Sequence, residues 1–211
     1  MKNYKFKTKP YDHQLEIWEK SWSEPYYALF AEMGTGKSKI AIDTIGALYL
    51  TGQIDTALIL APKGVFDNWV KGEFPTHLPD GIEYKIVRWQ PNWTKKYTAE
   101  IKEVAIRGDS KALNILVMNI EALSTAKGAA SAKRFLERNP DNMTLIDEST
   151  TIKNRQAQRT KTVLDLTRVS KFRRILTGSP ITKSPMDLYA QCAFLSTEAL
   201  GFKSFYSFQG R

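Results

Sequence analysis

The stretch Ala31-Glu32-Met33-Gly34-Thr35-Gly36-Lys37-Ser38 decides the fold. Upstream lies the short apolar run 26–31, and downstream the pattern from Lys37 to Leu50 is helical. A glycine-rich turn between strand and helix, ending in Gly-Lys-Ser, fits the spacing of a phosphate-binding loop, with Ala31 where the first glycine usually stands. The N-H groups of such a loop point at phosphate oxygens, and the following helix adds its positive dipole end. Gly34 and Gly36 let the backbone approach with no Cβ in the way. Lys37 is expected to neutralise the β- and γ-phosphates of ATP and the Ser38 hydroxyl to ligate Mg²⁺, with Met33 and Thr35 completing the loop. Average residue usage produces this pattern by chance in roughly one or two per hundred chains of this length. Its position between a strand and a helix disfavours the alternative, a glycine turn beside a solvated lysine.

Working outward, short β-branched and aromatic runs recur at 26–31, 56–61, 83–89, 113–119, 143–147 and 172–178. Helical patterns alternate with them over 12–21, 37–50, 63–73, 94–106, 121–138, 157–168 and 185–195. That alternation predicts an α/β fold, a mainly parallel sheet with crossover helices on both faces. The near-continuous apolarity of 58–61 and 115–118 suits strands covered on both sides. No repeat, low-complexity tract or Gly/Ser linker divides the chain, so residues 1–211 are expected to form one domain.

Composition narrows the function classes. The 211 residues are 42% hydrophobic and 25% charged, enough for a sizeable core. No apolar run approaches the roughly 20 residues that span a bilayer, and the N-terminus has no apolar signal core, so a cytoplasmic location and no membrane partner are expected. Cys192 is the single cysteine, which excludes an intramolecular disulfide, and two separated histidines do little for a metal site. The net charge of +9 favours a polyanionic partner without identifying it.

A phosphate loop needs a second metal-binding group, usually an Asp at the end of a neighbouring buried strand. The run Met143-Thr144-Leu145-Ile146-Asp147-Glu148 supplies one. Asp147 is expected to hold Mg²⁺ and Glu148 to orient or deprotonate the water that attacks the γ-phosphate. The competing reading makes Asp147, Glu148, Ser149 and Thr150 the polar start of an ordinary helix.

At this point several ordered motifs resemble the first RecA-like lobe of superfamily II helicases, within them the Swi/Snf-like DNA translocases, especially phage-type members. Lys9 to Trp18 resembles the glutamine motif, which implies that Gln14 reads adenine. Residues 58–74 resemble motif Ia with its trailing Trp69, Glu73 and Phe74. Residues 117–124 resemble motif Ib. Residues 145–154 resemble motif II with Lys153 and Asn154, and residues 175–195 resemble motif III with the helix after it. The resemblance implies an ATP-hydrolysing helicase or translocase that grips DNA, duplex in this branch, mainly by its backbone. The matching nucleic-acid positions are Pro62, Lys63, Asn119, Thr177 and Ser179, with motif III serving alternatively as a relay between sites. It further implies a second RecA-like lobe, bearing an arginine finger, that this chain lacks.

One departure stands out: Ser149-Thr150 replace the family's Ala-His or Gly-His, so the histidine that links the γ-phosphate site to motif III is missing. That gives some support to an alternative, a nucleic-acid-binding module with a vestigial nucleotide site. A P-loop kinase is disfavoured by the lack of a lid-like arginine cluster. Outside the motifs, Arg88 to Tyr97 mixes aromatic and basic residues as single-strand binders do, against a plainer role for Trp89 and Trp93 in packing a sheet edge or a crossover helix.

Overall fold

The computed structural model describes residues 4–92, 94–105, 111–202 and 204–210. Six strands, β1 (Tyr26–Phe30), β2 (Thr56–Ala61), β3 (Tyr84–Arg88), β4 (Leu113–Asn119), β5 (Asn142–Asp147) and β6 (Phe172–Thr177), form one sheet in the order β1-β6-β5-β2-β4-β3. Every pairing is parallel. Side chains alternate across the pleat, so Ala57, Ile59 and Ala61 of β2 enter one apolar cluster while Leu58 and Leu60 enter the other. The first cluster is covered by α1 (Asp12–Ser21), α2 (Lys37–Leu50) and the helical segment after β2. The second is covered by α5 (Lys95–Ala105), α6 (Ala126–Arg138), α7 (Gln158–Leu166) and α8 (Asp187–Leu195). A sheet buried on both faces explains why β2 and β4 read as unbroken apolar runs.

Two expected helices come out differently. The one over 63–73 starts at Phe66 and runs as three pieces: α3 (Phe66–Asn68), a π-helical turn (Trp69–Glu73) and α4 (Phe74–His77). Pro75 has no N-H to bond back into a regular turn, and Phe74, just before it, donates its N-H five residues back to the Trp69 carbonyl. The helix expected over 121–138 is split into a 3-10 turn (Ile120–Ser124) and α6. Thr125, extended at φ −102 and ψ 144, divides them; its hydroxyl donates to Ala122 O at 2.8 Å and accepts from Gly128 N at 3.1 Å. Gly128 has to be glycine, because a Cβ there would lie 2.1 Å from the Ala122 carbonyl oxygen. A further helix among the described residues, α9 (Phe205–Gln209), has no counterpart in the sequence reading. Trp93 and Ile106, named in that reading, lie outside the described residues.

Two devices fasten α1 to the sheet. Arg174 of β6, 1% exposed, donates to the carbonyls of Ser21, Glu24 and Pro25 at 2.9, 2.5 and 3.1 Å, satisfying chain that leaves the end of the helix. Burial lowers the Arg174 pKa to about 10. Tyr4, Phe6 and Trp18 pack as an aromatic cluster, Phe6 edge-on to the other two rings, and the Tyr4 hydroxyl donates to Asp43 of α2, which also pairs with Lys39 at 2.6 Å.

Because all six strands run the same way, their C-terminal ends share one edge of the sheet. Ligands in open α/β sheets gather outside that edge. Strand order then divides the loops. Phe30, Thr177 and Asp147 end three adjacent strands, β1, β6 and β5, while Ala61, Asn119 and Arg88 end β2, β4 and β3.

Candidate active site and nucleic-acid groove

On the first half of the edge, Gly34 and Gly36 both adopt φ +80, a left-handed conformation that a side chain would strain. Gly36 is also the residue immediately before α2, and a Cβ there would lie 2.3 Å from the Gln14 amide nitrogen. Gln14 is buried behind the loop. Its Nε2 donates to Thr35 O at 3.0 Å and its Oε1 accepts from Tyr11 N at 3.0 Å. The side chain expected to read adenine thus already holds the phosphate loop against the start of α1. Lys37 Nζ curls back to the carbonyls of Ala31 and Glu32 at 2.8 and 2.9 Å, and Met33 projects outward at 86% exposure.

β5 delivers Asp147 beside this loop. One Asp147 oxygen accepts from the Trp69 indole N-H at 2.9 Å and the other from Glu148 N at 3.0 Å. Burial raises the Asp147 pKa, with the Trp69 bond opposing it and the neighbouring Glu148 charge adding to it. Glu148 sits at φ 50 and ψ 65, the one non-glycine residue with positive φ among the described residues. No side chain caps the 3-10 turn that follows, so the pair is not simply the capped start of a helix. Thr177, at the end of β6, donates its hydroxyl to Glu148 Oε2 at 3.1 Å.

Gly34, Gly36, Lys37, Ser38, Asp147 and Glu148 line one cavity of about 380 Å³. Its other wall comes from the helical segment after β2: Asn68, Trp69, Glu73 and His77. Asn68 donates to Glu73 at 2.9 Å, and Gly72 leaves room, since a Cβ there would sit 2.6 Å from Asn68 Oδ1. Burial raises the Glu73 pKa and lowers that of His77. The sequence reading named Trp69 and Glu73 without giving them a role. The π-helical turn that aims them at the cavity has no pattern in sequence; only the spacing of an aromatic and an acid around Gly72 hints at it.

Among the described residues no group of three or more His, Cys, Asp or Glu could hold a metal alone. Ser38 and Asp147, which line the same cavity, are the residues that could hold a Mg²⁺ ion, with phosphate and water supplying its remaining ligands.

The second half of the edge forms a separate groove of about 750 Å³. Lys63 and Asn119 line it together with Arg88, Trp89 and Lys127. Pro62 begins the turn out of β2 and accepts from Val65 N and Phe66 N at 3.0 and 3.1 Å; Asn119 caps the 3-10 turn through Glu121 N at 2.8 Å. Arg88 pairs with Asp67 at 2.8 Å and lies over the Phe66 ring, and Trp89, 7% exposed, packs in the core, as the plainer reading had it.

The five nucleic-acid candidates are therefore not brought together. Thr177, 1% exposed, turns its hydroxyl to Glu148 and not to the surface, because β6 lies between β1 and β5 on the phosphate-loop side of the sheet. Ser179 is exposed just beyond it, its N-H bonded to Thr177 Oγ1 at 3.2 Å.

A family model described as the SNF2-related domain matches residues 23–210. The Arabidopsis thaliana protein named "Probable ATP-dependent DNA helicase CHR12" is 32% identical over 165 residues, which is 78% of this chain and 14% of that protein. "ISWI chromatin-remodeling complex ATPase ISW2" of Saccharomyces cerevisiae is 28% identical over 178 residues, 81% of this chain and again 14% of its own length. Among solved structures, the Sulfolobus solfataricus SWI2/SNF2 ATPase core in complex with dsDNA superposes with a TM-score of 0.75 at 20% identity, covering 100% of this chain and 40% of that one. The shared fold is RecA-like, and the chain spans a small part of its curated relatives. With nearly its whole length matched, the chain belongs to the SNF2-related domain family.

Proposed function

We propose that the chain is the ATP-binding lobe of a DNA-dependent ATPase that couples hydrolysis to movement on duplex DNA. One observation carries the reading: the Lys37-Ser38 loop and the Asp147-Glu148 pair line a single cavity, at the ends of two strands, β1 and β5, that flank β6. Phosphates entering the loop would meet the N-H groups around Gly34 and Gly36 and the positive end of α2. Lys37 would exchange its bonds to the Ala31 and Glu32 carbonyls for phosphate oxygens. Ser38 and Asp147 would hold Mg²⁺, which when bound neutralises charge on the β- and γ-phosphates. Glu148, its carboxylate oriented by Thr177, would position and deprotonate the attacking water.

Two structures of the SWI2/SNF2 core support the assignment of this chain to one lobe of a two-lobed engine, since it covers 40% and 39% of them. A second RecA-like lobe would complete the site from across the cleft with an arginine finger. Residues 1–211 alone should then bind nucleotide and hydrolyse it slowly, an arginine finger being worth about 10³ to 10⁵ in rate. Lys63 and Asn119, in the basic groove, would take DNA phosphates with little regard to sequence. The missing motif II histidine keeps a second reading in play, a nucleic-acid-binding module with a vestigial nucleotide site.

Titrating ATP with and without Mg²⁺ into the chain and its Lys37→Ala variant separates the two. The first reading expects Mg²⁺-dependent binding that weakens at least about tenfold in the variant, the effect of losing one charge-assisted contact. Equal and negligible affinity in every case supports the vestigial site.

A further inference from the structure

Position 149 follows the water-activating Glu148, and here it is a serine that the fold buries completely. A buried hydroxyl needs a partner. Ser149 Oγ donates to Oε1 of Gln191 at 2.6 Å, and Gln191, on α8, is itself completely buried. The other end of that amide is also committed: Nε2 donates one hydrogen to Pro180 O at 2.8 Å and one to Asp187 O at 2.7 Å. Two carbonyls can only accept, so a single orientation of the amide satisfies all three bonds. Gln191 thus spans from the residue after Glu148 to the residue after Ser179.

Two further ties run alongside. Thr177 bonds Glu148 Oε2 and accepts from Ser179 N. Nearer the surface, Lys153 Nζ bonds the Thr182 hydroxyl, and Asp187 gathers Thr182 N, Thr182 Oγ1 and Lys183 N at 2.9, 2.7 and 2.8 Å. The turn that carries Glu148 and the loop over 178–183 are thereby stitched together in three places. Only the Ser149–Gln191 stitch is fully enclosed.

We infer that Ser149 and Gln191 form a positioning pair that couples the setting of Glu148 to the loop bearing Ser179, in the place of the absent histidine. This rests on the function proposed above, in which Glu148 serves ATP hydrolysis and the chain grips DNA phosphates, and it adds the exposed Ser179 to those contacts. A phosphate contact that shifts Ser179 and Pro180 moves the carbonyl that Gln191 holds. The planar amide passes the shift to Ser149, because slipping free would leave buried polar atoms unpaired. Glu148, next in the chain and held in an uncommon left-handed conformation, then turns its carboxylate. Neither Ser149 nor Gln191 touches the reacting atoms in this scheme.

The test is a coupling measurement on the chain itself. The affinity for the slowly hydrolysed analogue ATPγS with Mg²⁺ is measured with and without a saturating blunt DNA duplex. It is repeated in Ser149→Ala/Gln191→Leu, which replaces both partners with apolar groups and so leaves no polar atom of the pair stranded. Gln191→Met, which keeps the helix packing and removes both N-H donors, serves if the double variant does not fold. The duplex should change nucleotide affinity of the natural chain by about fivefold or more, and the variant should bring that ratio below about twofold. Affinity for each ligand alone and the thermal midpoint should stay close to those of the natural chain, which separates coupling from a general loss of structure. A ratio that persists in the variants, or a natural chain that binds both ligands with no coupling, overturns the inference while leaving the proposed function standing. A natural chain that binds neither ligand overturns both.

Discussion

Trp69 holds its indole N-H 2.9 Å from an Asp147 oxygen while its ring packs in the core against Phe74. The donor and the ring are separable, since Trp69→Phe keeps most of the packing and removes the N-H. A hydrogen bond to a charged group contributes about 1.5 to 3 kcal/mol, so Mg²⁺-dependent nucleotide affinity should fall at least about tenfold by calorimetric titration. An unchanged Mg²⁺ dependence would deny the indole its orienting role. Asp187 offers a pH test of a different kind. Three donors from Thr182 and Lys183 hold its carboxylate well below the ordinary aspartate value of 3.8. For a carboxylate depressed on folding, the stabilisation is present above the unfolded pKa and is lost as pH falls through the folded one. The 182–187 turn should therefore persist at pH 3.8, where an ordinary aspartate is half protonated. A carboxyl-carbon NMR titration with its midpoint at or above that value would refute this. The Trp69 partnership was not legible in the sequence, because Trp69 and Asp147 are far apart in the chain, and nor was that of Gln191, since nothing in LYAQCAFL says which polar atoms its buried glutamine meets.

At the scale of elements, legibility followed local rules. The bounds of α1, α2, β2 and β4 agree with the sequence reading residue for residue, because apolar periodicity fixes them with little outside help. Where a tertiary contact sets the geometry, the reading slipped. The wide turn at Trp69–Glu73 answers to Pro75 and to the pull of Asp147, and the break before α6 answers to a hydroxyl at Thr125 that serves two bonds at once. That break carries its own prediction. Gly128→Ala adds a methyl that must displace backbone at Ala122, not a flexible side-chain tip. Overpacking of this kind costs about 1 to 3 kcal/mol, despite the better helix propensity of alanine. A urea midpoint equal to that of the natural chain would show that the turn yields freely.

Over the whole molecule, the glycine-rich loop and the acidic pair stand out in the sequence because each is a short contiguous motif at a strand end. Their adjacency does not, since it depends on β6 inserting between β1 and β5, and strand order leaves no mark in any one segment. That insertion reaches beyond geometry into biosynthesis. The strand that launches the phosphate loop is hydrogen-bonded to β6 alone, and α1, which braces the loop through Gln14, is pinned by Arg174 of that same strand. A ribosome therefore makes the loop well before the strand that supports it. Pairings so distant in sequence close slowly, and until Phe172 to Thr177 emerge the loop has the right residues on an unpaired strand. Chains stalled before Phe172 should accordingly fail to retain ATP, whereas chains released beyond Thr177 should retain it. Retention by the shorter chains would mean that the loop is set without its last neighbour. On this account the loop, made early, waits for the strand made last of the six in the sheet before it is held in place.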